Sequence, residues 1–249
     1  MKKAGIILST LALVAGSCGQ ATKKQAENDS TFSWADSTFY SNIRPNEALQ
    51  LGTLYTDSFE YIDYNNDGDD FFITVKKDNK MHDLINNDIH QIVSDLNLNR
   101  GDIIKIQWEI DSLRPEGDKE LLLFKEYAVK ITKTKDGNVS LFKKKYPKPL
   151  KYYYENNYSD SFLDKIYKNV EYYLANSKQD LVKLAINDPK SSLIYSIEER
   201  EFENKSYYVM GIFNEFENRQ SIIQWIYLSR DFQKIFEYDL PSDELIEFE

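Results

Sequence analysis

The residues that could do chemistry lie in a few short stretches. Asp63-Tyr64-Asn65-Asn66-Asp67-Gly68 places Asp63, Asn65 and Asp67 at alternate positions ahead of a glycine. Side-chain oxygens at that spacing converge on one hard cation, calcium first, while glycine permits the bend. The same residue types also suit a hairpin turn between Tyr61 and Phe71, because Asn, Asp and Gly tolerate positive φ. Lys143, Lys144, Lys145, Lys148 and Lys151 run directly into Tyr152, Tyr153 and Tyr154. This basic, aromatic stretch would meet an acidic glycan, a phosphate head group or a protein partner. Its plainer reading is a solvated linker whose tyrosines dock on a neighbouring domain. Cys18 is the single cysteine, so its thiol is free for modification but not for a disulfide within the chain. His82 and His90 are the two histidines, and neither stands at a zinc-ligand spacing from other donors. No nucleophile elbow, phosphate loop or dinucleotide fingerprint occurs. Carboxylates are abundant, yet none is singled out as half of an acid–base pair.

Cys18 has a telling context. Lys2 and Lys3 form a positive head, Ala4 to Ala15 is an apolar run, and the small residues Gly16 and Ser17 precede the cysteine. That order describes an export signal, and the run is shorter than the ~20 residues of a membrane span. Ala15-Gly16-Ser17-Cys18 resembles the lipobox of bacterial lipoproteins, most of all the loose Bacteroidetes form in which Ser-Cys-Gly closes the signal. It departs from the stricter pattern, which has Leu where Ala15 stands. The resemblance implies a signal peptide over 1–17 and a mature chain beginning at an acylated (palmitate-bearing) Cys18. Gly19, where Asp would retain a lipoprotein in the inner membrane, implies the outer membrane, facing the periplasm. Loss of Lys2 and Lys3 takes the net charge from −10 to −12. Residues 18–31 are small and polar and read as a flexible tether. The stretch from Asp63 is similar to the first half of an EF-hand loop but has Thr74 where that loop needs Glu. It is also similar to integrin-like calcium turns, which want Asp where Phe71 sits. These departures favour the turn; calcium is the one cofactor in question.

The elements that must position these residues follow from pattern. The 249 residues, 41% hydrophobic and 14% aromatic, suit one large or two small domains. Tyrosine and phenylalanine carry much of the apolar weight, which leans toward strands. The acidic balance argues against a general nucleic-acid binder. Past the leader, no apolar run is long enough for a membrane span, so membrane contact rests on the anchor.

We read an α+β, β-rich chain of two domains, 32–145 and 146–249. Phe32 to Glu47 reads as a short helix or arm packed on the first domain. Strands are expected over Gly52–Ile62, Phe71–Val75, Lys80–Ile85, Ile103–Ile110 and Leu121–Thr132. A turn over Lys133–Gly137 leads to another strand at Asn138–Lys144. Ile89, Ile92, Val93 and Leu96 predict a helix over Asp88–Leu98, stopped by Gly101. Three strands, a helix and further strands resemble an OB-fold barrel. Pro147 and Pro149 among the lysines mark the domain boundary. Phe162, Leu163, Ile166, Tyr167, Val170, Tyr173 and Leu174 form one helical stripe, and Ser177 with Asp180 resembles a capping box for a second helix. Leu193–Phe202, Tyr207–Phe216, Ser221–Leu228 and Lys234–Leu240 then form an antiparallel meander. Helices followed by such a meander resemble cystatin-like or NTF2-like domains. The expected role is non-catalytic: binding or scaffolding with a protein or glycan partner in the envelope. The alternative is a carboxylate-based hydrolase acting on an envelope glycan. A clustered carboxylate pair in a cleft would favour the enzyme; a flat aromatic patch without such a cleft would favour the binder.

Overall fold

The computed structural model describes residues 38–66, 70–113, 122–153, 158–216 and 219–248. The leader, Cys18, the tether, Asp67, Gly68 and Tyr154 lie outside them.

The first half is a closed barrel. β1 (Thr38–Phe39) and β2 (Leu49–Gln50) form a small ribbon beside it, with no helix between them. The described part of the expected helix or arm, from Thr38 on, is thus a ribbon and its turn, which pack Ile43 and Leu49 into the barrel core. β3 (Tyr55–Asn65), β4 (Phe72–Lys77) and β5 (Lys80–Ile85) run as antiparallel neighbours. After α1 (Ile89–Asp95) come β6 (Ile103–Leu113) and β7 (Leu123–Lys135). The order β3-β4-β5-β7-β6 closes on itself, with β5 and β7 meeting in parallel at Ile85 and Tyr127. Alternation drives the closure. Ile104, Ile106, Trp108 and Ile110 of β6 are buried, while Lys105 and Gln107 face water. Asp78 and Asn79, both at positive φ (50° and 60°), make the two-residue turn between β4 and β5. α1 ends sooner than its apolar spacing predicts, because Asn97 adopts a left-handed φ of 46°.

The second half is layered. β8 (Lys151–Tyr152) pairs in parallel with β9 (Ser192–Phe202). The antiparallel meander continues through β10 (Lys205–Phe216), β11 (Arg219–Ser229), β12 (Ile235–Asp239) and β13 (Glu244–Glu247). The sheet order is β13-β12-β11-β10-β9-β8. Among the described residues, α2 (Asn138–Lys145), α3 (Asp160–Asn176) and α4 (Asp180–Asn187) belong with it. The expected strand at Asn138–Lys144 is therefore a helix. Val139, Ser140 and Phe142 are its buried residues, and Phe142 joins the second core. Ser159 caps α3 by accepting the Phe162 amide. The capping box at Ser177 does not form; Gln179 occupies the cap of α4, and Ser177 Oγ accepts the Gln179 amide. On the helix face of the sheet, Tyr195, Ile197, Met210, Ile212, Ile226 and Leu228 pack against Ile166, Val170, Tyr173 and Val182. On the opposite face Tyr207, Val209 and Tyr227 form a smaller cluster with Phe202, Trp225, Phe236 and Tyr238.

The two cores meet tightly. The change from one to the other falls between Ile131 and Phe142, and Tyr146 and Leu150 beside the prolines are buried in the second. Asp102 is wholly buried at the seam. It accepts hydrogen bonds from the amides of Asn99 (2.7 Å) and Gly137 (2.7 Å) and pairs with Lys133 (2.8 Å). Gly137 is held so close to Gly101 that a Cβ would stand 2.3 Å from the Gly101 carbonyl carbon. Arg100 stacks on Tyr172 of α3 at 3.8 Å, and Lys168 of α3 lies over Tyr64 of β3. Among the described residues no helix is long and apolar enough to cross a membrane.

Candidate functional site

Asp63 and Asn65 stand in the β3–β4 ladder, opposite Thr74 and Phe72, next to a bulge between Tyr61 and Asp63. Both lie on extended strand, and Asp67 and Gly68 lie outside the described residues. Among the described residues no cluster of His, Cys, Asp and Glu is suited to hold a metal. Tyr64 hydrogen-bonds His90 Nδ1 at 3.0 Å, which ties the end of this hairpin to α1.

The lysines of the basic stretch are drawn into different contacts. Lys143 pairs with Glu171 (3.0 Å) and donates to Asn99 Oδ1 (2.8 Å). Lys144 pairs with Asp136, Lys148 donates to the carbonyls of Pro189 and Ser191, and Lys151 reaches Glu215. Lys145 is exposed at the end of α2, where cations suit the helix dipole. Tyr152 packs on Tyr195, and Tyr153 is exposed. Most of the patch thus fastens α2 and the proline segment to the rest of the fold.

Lys143 and Lys148 also line a cavity of about 340 Å³ between α2, the proline segment and α3, walled besides by Tyr146, Tyr167 and Glu171. Glu171 is buried there. Burial, then the charge of Glu171 and a hydrogen bond to it, raise the Tyr167 hydroxyl well above the ordinary tyrosine value. Burial, with Tyr152 and Glu171 nearby, pushes Tyr195 up to about 12. Both phenols are neutral donors at physiological pH. Glu171 is the one carboxylate among the cavity's lining residues, and Lys143 pairs with it, so this arrangement offers hydrogen bonds to a small polar guest and, among the described residues, no pair of carboxylates.

A larger groove of about 490 Å³ lies between the start of α4 and strands β11–β13. Leu181 of α4, Ile222 and Trp225 of β11, Leu240 and Ile246 form its apolar walls, and Glu237 and Asp239 of β12 its acidic side. Leu181, Ile222, Leu240 and Ile246 are all exposed, Leu240 by 76%. Leu184, one helical turn from Leu181, is exposed as well. Glu237 is oriented by hydrogen bonds from Tyr173 (2.8 Å) and Gln179 (2.7 Å). Arg200 covers the Trp225 ring at 4.3 Å with its charge matched by Glu198. The sequence reasoning missed this groove. Its one available signal was the apolar pair Leu181 and Leu184 on a short helix whose core positions are Val182 and Ala185.

No family model and no curated protein matches the chain. Nine chains among solved structures match, one described as a murine DNA binding protein bound with double-stranded DNA. It is 12% identical, with 77% of this chain and 89% of that chain covered and a TM-score of 0.19. So low a score carries neither a fold nor a function across to this chain.

Proposed function

We propose that this chain is a lipid-anchored envelope protein whose folded part binds or scaffolds rather than catalyses. The leader and Cys18 support attachment through an acylated cysteine, and Gly19 supports the outer membrane facing the periplasm. The order β3-β4-β5-β7-β6, with α1 between β5 and β6, supports an OB-like reading of the barrel. The helices and meander support a cystatin-like or NTF2-like reading of the second half. One observation carries the binding role: the open groove rimmed by exposed Leu181, Ile222, Leu240 and Ile246. Adjoining apolar side chains left in water around a groove mark an interaction site.

Two experiments test this. Cells fed labelled palmitate should label the wild-type protein and not Cys18→Ser; equal labelling would refute the anchor. A photo-reactive residue at Leu240 should give a discrete adduct in the envelope that disappears with Ile246→Asp. Absence of any adduct from positions 181, 222 and 240 would refute the binding role.

A further inference from the structure

The groove ends at an edge strand. β13 is the last strand of its sheet, and among the described residues no strand pairs with its outer side. Glu244 and Ile246 stand opposite Asp239 and Glu237, and the Phe248 amide donates to Ile235. In an antiparallel ladder, inward and outward backbone groups alternate. The amides and carbonyls of Leu245 and Glu247 therefore point away from β12, ready for another strand.

The charge around this edge is one-sided. Residues 235–248 carry Glu237, Asp239, Asp243, Glu244 and Glu247 and no lysine or arginine. Glu247 is matched by Lys234. Among the described residues the other four form no ion pair; Asp239 and Asp243 accept only neutral hydrogen bonds, from Ser242 and Tyr238. A second copy of this chain on the same edge would bring two acidic stretches together, and like charges across strands repel. The apolar walls ask for apolar side chains and the acidic side for cations.

Resting on the binding reading above, we infer that the β13 edge and its groove take an extended segment of another protein, added as a strand, whose groove-facing side chains, at every second position, include both apolar residues and lysine or arginine. Main-chain bonds to Leu245 and Glu247 supply the grip, and alternate side chains enter the groove. The cations face Glu237, Asp239 and Glu244.

The probes are a short capped peptide whose every second residue is valine or lysine in turn, with threonine between them, and its counterpart with glutamate in place of lysine, titrated into the folded chain and followed by amide NMR. The lysine peptide should shift Leu245 and Glu247 amides and bind more weakly as salt rises. The double variant Asp239→Lys, Glu244→Lys should bind it about tenfold more weakly or worse. Leu245→Pro removes an outward amide without removing a ladder bond, so it should abolish strand addition; Leu245→Ala, which keeps the amide, should bind. Equal binding of both peptides, no binding of the lysine peptide, or undiminished binding by Leu245→Pro would each overturn the inference. If the lysine peptide fails while the Leu240 adduct still forms, the groove binds something of other chemistry and the broader reading stands.

Discussion

The barrel and the sheet solve the same problem in opposite ways. A strand leaves half its backbone groups unpaired unless a neighbour takes them. In the barrel, β6 bridges β3 and β7, and the parallel contact of β5 with β7 completes the ring. Its interior is filled by Phe59, Ile73, Leu84, Ile104, Ile106 and Trp108. The six-stranded sheet never closes. One edge is β8, only two residues long; the other is β13, short and acidic. Short, charged edges resist aggregation, yet β13 sits beside exposed leucines and isoleucines. Closure spends a strand's bonding capacity on stability, whereas an open edge keeps it for a partner.

The sharpest way to break this comparison is to hollow the closed part. Trp108 is fully buried, and its Nε1–H donates to Asp57 at 2.9 Å. Trp108→Ala should cost about 3–5 kcal/mol, read by urea unfolding. A loss under about 1 kcal/mol would deny the barrel its central role. Next is the seam. Gly137→Ala forces a methyl against the Gly101 backbone and should cost about 1–3 kcal/mol. Far-UV dichroism and aromatic signals should still fall in one transition; separate transitions would mean that the two cores fold independently.

Acid provides a finer test. Burial alone would raise the Asp57 carboxyl, but hydrogen bonds from Lys77, Trp108 and Arg44 outweigh it and hold the group below its ordinary value. A carboxyl depressed in the folded state stabilises the fold above its unfolded value, near 4. That contribution is lost as pH falls through 4 toward the folded value. Stability of the wild type should therefore fall between about pH 5 and pH 3 more steeply than that of Asp57→Asn. Parallel curves would remove Asp57 from the account. The smallest effect belongs to the open edge. Ile246→Ser should change stability by no more than about 0.5 kcal/mol, because the side chain already faces water. A larger loss would mean that β13 supports the fold rather than waiting for a partner.

What the sequence disclosed follows from how local its causes are. Strict alternation in Ile103–Ile110 and the Asp78-Asn79 turn are readable because the neighbours that matter are adjacent in the chain. The fold class and the meander were legible for the same reason. α2 was not: Asn-Val-Ser-Leu-Phe-Lys suits either period over so short a span, and the deciding contacts come from Asp102 and α3, far off in sequence. β8 pairs in parallel with β9 across two intervening helices and leaves no local trace. The basic stretch was visible as composition, but its lysines are partnered by Glu171, Asp136, Glu215 and backbone carbonyls that no spacing rule links to them. The groove was hidden because Leu181, Ile222, Leu240 and Ile246 look like core residues until burial is known.

Asp102 at the seam has a consequence for motion. Its two carboxylate oxygens hold the Asn99 and Gly137 amides, while Arg100 next to it lies flat on Tyr172. There is no slack there for a hinge, since even one added methyl at Gly137 would collide with backbone. The barrel and the sheet should consequently tumble as a single rotor, with amides of β6 and β10 relaxing with the same correlation time. A partner seated at β13 would then slow the barrel as much as the sheet, so its arrival could be followed from the side of the molecule that it never touches.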